Sequence, residues 1–381
     1  MEVRLPAVAD GQLAPAKPRH FIGVAPNAAH QAPRGLFTMK SHELAIVEFD
    51  DQGRCYDRRQ MDAVAGRLAD LAERDVIIVV FVHGWKHDAR TDDSNLSAFE
   101  HVLDQTVRQE ADHTAGEGAA RPVLGVFVGW RGLSIYDRFG IIDNVTFWDR
   151  QQAGQRVAVG SVRELFGRFR HYRNHRKDAG GAPLVVIVGH SFGGMIVYSA
   201  LAQSLIEAAS TTREEVTSRF ADLVLLVNPA FEAARYLPIY DLVRERRNQK
   251  VGTDQPPVFV CATARNDWAT GLAFPIGSVL SYLTERWRGV QERQAMVNTI
   301  GHLPWLKTHD LAGGGDSKFA LTEVTPEAKR NPFWVVQAAP TVINGHDGIF
   351  LAPFLEFVAY LVFQHVEYSR SGGAPRPTQE S

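Results

Sequence analysis

The chain of 381 residues is 45% hydrophobic and 22% charged, which supplies apolar material for a large core and excludes a disordered protein. A formal net charge of −2, with both signs interspersed, builds no field that would recruit nucleic acid or an anionic lipid surface, so neither is an expected partner. The two cysteines, Cys55 and Cys261, do not read as a disulfide framework, and Cys261 falls inside an apolar run; both fit a reducing compartment.

Residues 1–40 are rich in Ala and Pro without a sustained period and are expected to be a loosely ordered segment; they lack the basic start and unbroken apolar stretch of a secretory signal. Short apolar runs then predict strands at Leu44–Phe49, Val76–Val82, Val123–Val128, Leu184–Val188, Leu223–Val227 and Val258–Cys261, with a weaker one at Val335–Ile343 that Pro340 interrupts. Amphipathic stretches at Met61–Glu73, Leu96–Gln109, Gln151–Arg176 and Met195–Ala209 predict crossover helices between them. Several strands are apolar at every position, as strands covered on both faces are. The expected fold class is therefore α/β, with a mostly parallel central sheet, helices on both faces and a helical insertion or lid. One domain is expected over 41–368, with insertions at about 131–182 and 268–333 and a disordered tail at 369–381. The longest apolar run, Ile349–Phe363, is broken by Pro353 and Glu356 and is too short to span a bilayer, which leads to the expectation of a soluble, cytoplasmic protein with no integral membrane segment.

Between the fourth apolar run and the following helix stands Gly189-His190-Ser191-Phe192-Gly193. A serine on a tight strand-to-helix turn needs glycine two residues to either side, because side chains there would collide with the neighbouring strand and helix. The alternative is a glycine-rich turn that only packs helix on strand, but the required strand and helix are both present. Ser191 is the expected nucleophile, and His190, adjacent to it, is read as a packing or hydrogen-bonding neighbour outside the catalytic set.

Attack by a serine on an acyl carbonyl needs preorganised N–H donors for the developing oxyanion. The expected oxyanion hole is formed by the amides of Phe192 and Trp85, the latter from the His83-Gly84-Trp85 turn after IIVVFV; His83 is read as a brace for that loop. His87 and Asp88 nearby mimic a metal cluster without matching a known spacing, and His171 with His175 reads as a solvated basic face, so neither metal nor other cofactor is expected. The base must lie on a loop after the last strand, where His346 in PTVINGHDGIF stands between Gly345 and Gly348; a turn histidine is the bland alternative. The acid is expected to be Asp267, after VFVCAT, with Glu232 as its rival one strand earlier, beyond Asn228.

Taken together, strand-HGW, strand-GHSFGG-helix, strand-ARND and a late INGHDG resemble the α/β-hydrolase superfamily over about residues 44–368, and fragments such as FVGWRG resemble its bacterial esterase- or lipase-like members. The resemblance implies a serine hydrolase that cleaves a small-molecule or lipid-like carboxylic ester through an acyl-enzyme on Ser191. The same residues serve a thioesterase, amidase or peptidase, and a catalytically silent binding protein could retain the scaffold. An apolar pattern around Phe274–Leu306 could cover the site, and Trp85, Trp130, Phe192 and Trp268 near the strand ends tilt the reading toward an apolar acyl group. Oligomeric state has no signature in the sequence.

Overall fold

Six consecutive β-branched or aromatic residues leave the run Ile77–Val82 no polar face to turn to water, and a computed structural model of the chain buries all six. That structure describes residues 36–39, 41–84, 93–114, 119–130, 153–218, 220–268, 270–271, 289–313, 318–325, 328 and 330–370. Its strands are β1 (Leu36–Thr38), β2 (Glu43–Phe49), β3 (Ile77–Val82), β4 (Val123–Trp130), β5 (Leu184–His190), β6 (Leu223–Val227), β7 (Phe259–Ala264), β8 (His309–Gly313), β9 (Phe319–Glu323) and β10 (Phe333–Ala338). They form one sheet in the order β1-β2-β4-β3-β5-β6-β7-β10-β8-β9. All neighbours pair in parallel except the two edge pairs, β1 with β2 and β8 with β9.

The labelled helices are α1 (Arg58–Asp70), α2 (Ser94–Thr114), α3 (Ser161–Asp178), α4 (Phe192–Ala209), α5 (Leu237–Asn248), α6 (Val290–Val297) and α7 (Ala352–Arg370). Strand alternation sorts them. Ile78, Val80 and Val82 face the core shared with α1, α3, α4 and α5, whereas Ile77, Val79 and Phe81 face the core of α2 and α7. The crossover by α2 and the crossover by α3 therefore lie on opposite faces, and the winding reverses between β3 and β5. The carboxyl ends of strands at such a switch point leave a crevice where open α/β sheets hold their sites.

Helix α4 is the one described helix long and apolar enough to cross a membrane, and 72% of its apolar window is buried in this protein, as a central core helix requires. The edge strands β1, β8 and β9 have no counterpart in the sequence pattern. The expected final strand Val335–Ile343 ends instead at Ala338 and passes into a turn before His346, because Pro340 carries no N–H for a ladder. Residues 272–288, which include the first part of the apolar stretch read as a cover over Phe274–Leu306, lie outside the described residues, as do 371–381. The labelled elements among the described residues of the 268–333 insertion are α6, two short 3₁₀ turns and the antiparallel pair β8–β9.

Candidate active site

Ser191 joins β5 to α4 at φ 56° and ψ −121°, a conformation that a residue with a Cβ adopts only under constraint. The constraint is visible at the flanking glycines. A Cβ on Gly189 would lie 2.7 Å from the carbonyl oxygen of Gly193, and one on Gly193 would lie 2.1 Å from that of Val82. The serine amide donates to Val227 O at 3.0 Å, and its carbonyl accepts from Ala230 N at 3.1 Å, so β6 and the turn after it hold the elbow from one side.

The loop after β3 approaches from the other side. A Cβ on Gly84 would sit 2.9 Å from Ser191 Cβ, so the backbone reaches the nucleophile only because this position is glycine. His83, fully buried, accepts from the Trp130 amide at Nε2 (3.1 Å); its Nδ1 therefore carries the proton and donates to Gly84 O at 2.7 Å. Trp130 Nε1 in turn donates to His83 O at 2.8 Å. The Phe192 amide opens α4, whose first turn holds no acidic residue, so the helix dipole favours negative charge beside Ser191. Trp85, the other expected oxyanion donor, lies outside the described residues, as do His87 and Asp88.

Ser191 Oγ donates to His346 Nε2 at 2.7 Å. His346 Nδ1 lies 3.0 Å from each carboxylate oxygen of Asp267, whose side chain is fully buried. Burial alone would raise this carboxyl, but hydrogen bonds from His346 and Thr270 and the nearby imidazole outweigh it and hold the group below the usual carboxylate range. Glu232 sits apart, with its backbone bridged to Thr299 and its carboxylate 3.9 Å from Arg235.

The backbone around His346 is clamped by Asn228 and Asn266, to which the sequence pattern gave no role, and by His190, read there as a hydrogen-bonding neighbour. Asn228, at φ 45° after β6, donates from Nδ2 to the carbonyls of Gly345 (3.1 Å) and His346 (2.8 Å), and its Oδ1 accepts from Ala264 N. His190 Nε2 donates to the same His346 carbonyl at 2.9 Å, and Asn266 Oδ1 accepts from Gly345 N. The ends of β5, β6 and β7 thus each contribute one anchor to the loop. Among the described residues, His190, His346 and Asp347 are close enough to share a metal ion. Both nitrogens of His346 are already engaged by Ser191 and Asp267, so an ion there would compete with that cluster.

A parallel sheet with its winding reversed beside a strand–serine–helix elbow, and a histidine on the loop after β10, decides the architecture. The fold is an α/β-hydrolase fold. No known family's sequence profile matches the chain, and no curated protein matches it. Among solved structures, phospholipase PlaB from Legionella pneumophila aligns at 13% identity and a TM-score of 0.33, over 78% of this chain and 62% of its own. S-formylglutathione hydrolase FrmB from Staphylococcus aureus aligns at 11% and 0.28, over 77% and 84%, and an acetylxylan esterase at 10% and 0.24, over 79% and 100%. The chain spans less than two thirds of the length of the phospholipase.

Of the aromatic residues read as favouring an apolar acyl group, Trp130 and Phe192 are core side chains, 2% and 1% exposed; Trp130 braces His83 and Phe192 sets its ring edge-on against Trp130. Trp268, adjoining Asp267, is 72% exposed.

Proposed function

We propose that the chain is a serine hydrolase cleaving a carboxylic ester through an acyl-enzyme on Ser191. The observation that carries this reading is the unbroken hydrogen-bond line from Ser191 Oγ through His346 to a buried carboxylate, 2.7 and 3.0 Å long. In this reading His346 takes the serine proton as Oγ attacks the acyl carbon, and Asp267 fixes the Nδ1–H tautomer and stabilises the imidazolium. The oxyanion would be met by the amides of Phe192 and Trp85 at the start of α4 and after Gly84. His346 then returns the proton to the departing alkoxide; in the second half it activates the water that releases the acid.

The catalytic unit of this proposal is one domain over 41–368. Two free cysteines, one of them buried, suit a cytoplasmic enzyme. The exposed Trp268 beside the acid supports an ester with an apolar, lipid-like portion. The test is a panel of p-nitrophenyl esters, acyl thioesters and peptide amides with wild type and Ser191→Ala. Ester turnover that falls by roughly three or more orders of magnitude in the variant supports the assignment. Turnover that survives the substitution, or a preference for amides over esters, contradicts it.

A further inference from the structure

The polar chain does not stop at Asp267. The Thr270 amide donates to Asp267 Oδ1 at 3.2 Å, and the Thr270 hydroxyl donates to Oδ2. That hydroxyl has one proton, so its contact with His302 Nε2 at 3.0 Å requires the imidazole to donate. His302 is thereby fixed as the Nε2–H tautomer. Two of the three groups are withdrawn from water, Thr270 being 2% exposed and the Asp267 side chain fully buried, and His302 is half-buried at the end of the chain of hydrogen bonds.

The backbone is shaped to permit this. A Cβ on Gly271 would lie 2.9 Å from His302 Cε1, and one on Gly301 would lie 2.0 Å from Thr263 Oγ1 on β7, so two glycines let the His302 turn close on the acid. Burial pushes the His302 imidazole below its ordinary range; the Asp267 charge pulls it up and His346 pushes it down. These two are the ionisable groups that act on it among the described residues, and the ring stays a neutral donor at pH 7.

We infer that Thr270 and His302 are positioning residues that extend the Ser191–His346–Asp267 cluster by two hydrogen bonds, holding the carboxylate in the plane and charge state that His346 needs. This rests on the triad reading above. Losing the hydroxyl would leave more negative charge directed at His346 and free the carboxylate to rotate; the first favours the imidazolium and the second misplaces the base.

Thr270→Val removes the hydroxyl at constant shape, Thr270→Ser restores it, His302→Gln keeps a donor and His302→Leu removes it. On a p-nitrophenyl ester, Thr270→Val and His302→Leu should lower kcat about tenfold to a hundredfold with KM little changed. The acid limb of the kcat/KM profile should move to higher pH, and the serine and glutamine variants should recover both. A folded Thr270→Val with wild-type kcat and acid limb overturns the inference. Should that variant not fold, ¹⁵N-histidine NMR of the wild type decides: a neutral His302 with the proton on Nε2 supports the chain, and a proton on Nδ1 contradicts it. The tautomer is read without turnover, so a wild type inert to every ester sinks the triad reading and is distinguishable from failure of this inference.

Discussion

Ser191 holds a backbone conformation that costs about 1–3 kcal/mol for a residue with a Cβ. Ser191→Gly should therefore melt above Ser191→Ala although both are inactive; calorimetry showing the reverse would argue that the elbow is unstrained. Gly193→Ala places a methyl 2.1 Å from Val82 O and should cost about 3 kcal/mol or more, read as a lowered denaturation midpoint. Asn228→Asp would turn a carboxylate toward two carbonyl oxygens that now accept from its amide. On the proposed ester substrates, turnover should fall further in Asn228→Asp than in Asn228→Ala, and equal losses would mean that the amide matters only for its volume. At this scale the juxtaposition of three side chains was legible from local pattern: the elbow glycines marked Ser191 and the positions after strands marked His346 and Asp267. Ser191 and Asp267 each lie within hydrogen-bond reach of His346, their catalytic roles being those proposed above. Asn228 and His302 carried no such mark, because their partners lie across the fold; Asn228 and His346 are 118 residues apart.

At the scale of elements, central strands were legible because coverage on both faces leaves them apolar at every position, as in β3, β4 and β6. The edge strands were not. β8 and β9, HDLAG and FALTE, are partly exposed and mix Gly, acidic and small residues as edges do, so they read as connection. Asp222, just before β6, accepts from Arg173 at 2.6 Å, from Lys177 and from the Val185 amide at 2.8 Å, which ties α3 to the amino ends of β5 and β6. Burial works against its charge, but Arg173 and Lys177 outweigh that and hold its carboxyl far below the usual range. Asp222→Ala strands the buried Arg173 and should cost about 3–5 kcal/mol in urea unfolding; a loss under 1 kcal/mol would show the pair to be no better than its desolvation.

For the whole molecule, pH acts through groups whose protonation differs between folded and unfolded chains. Burial lowers His309 and His365 from 6.5 to about 4. Below pH 6.5 the unfolded chain binds protons that the folded one refuses, so stability is full above that value and drains away as pH falls toward 4, by up to about 3 kcal/mol for each histidine. Asp222 and Asp267, both depressed, keep their contribution through that window and lose it only at lower pH. Melting temperatures should fall from pH 7 to pH 5, and His309→Phe, which keeps an aromatic ring against Trp334 at 4.3 Å, should flatten the decline; an unchanged slope would assign it to other groups. The central claim concerns one oxygen atom. Reacting the wild type with a fluorophosphonate and mapping the adduct by peptide mass spectrometry should give a single modification on Ser191, blocked by Ser191→Ala and weakened by His346→Ala. An adduct on another residue, or none on a folded protein, would contradict the assignment of Ser191 as the nucleophile.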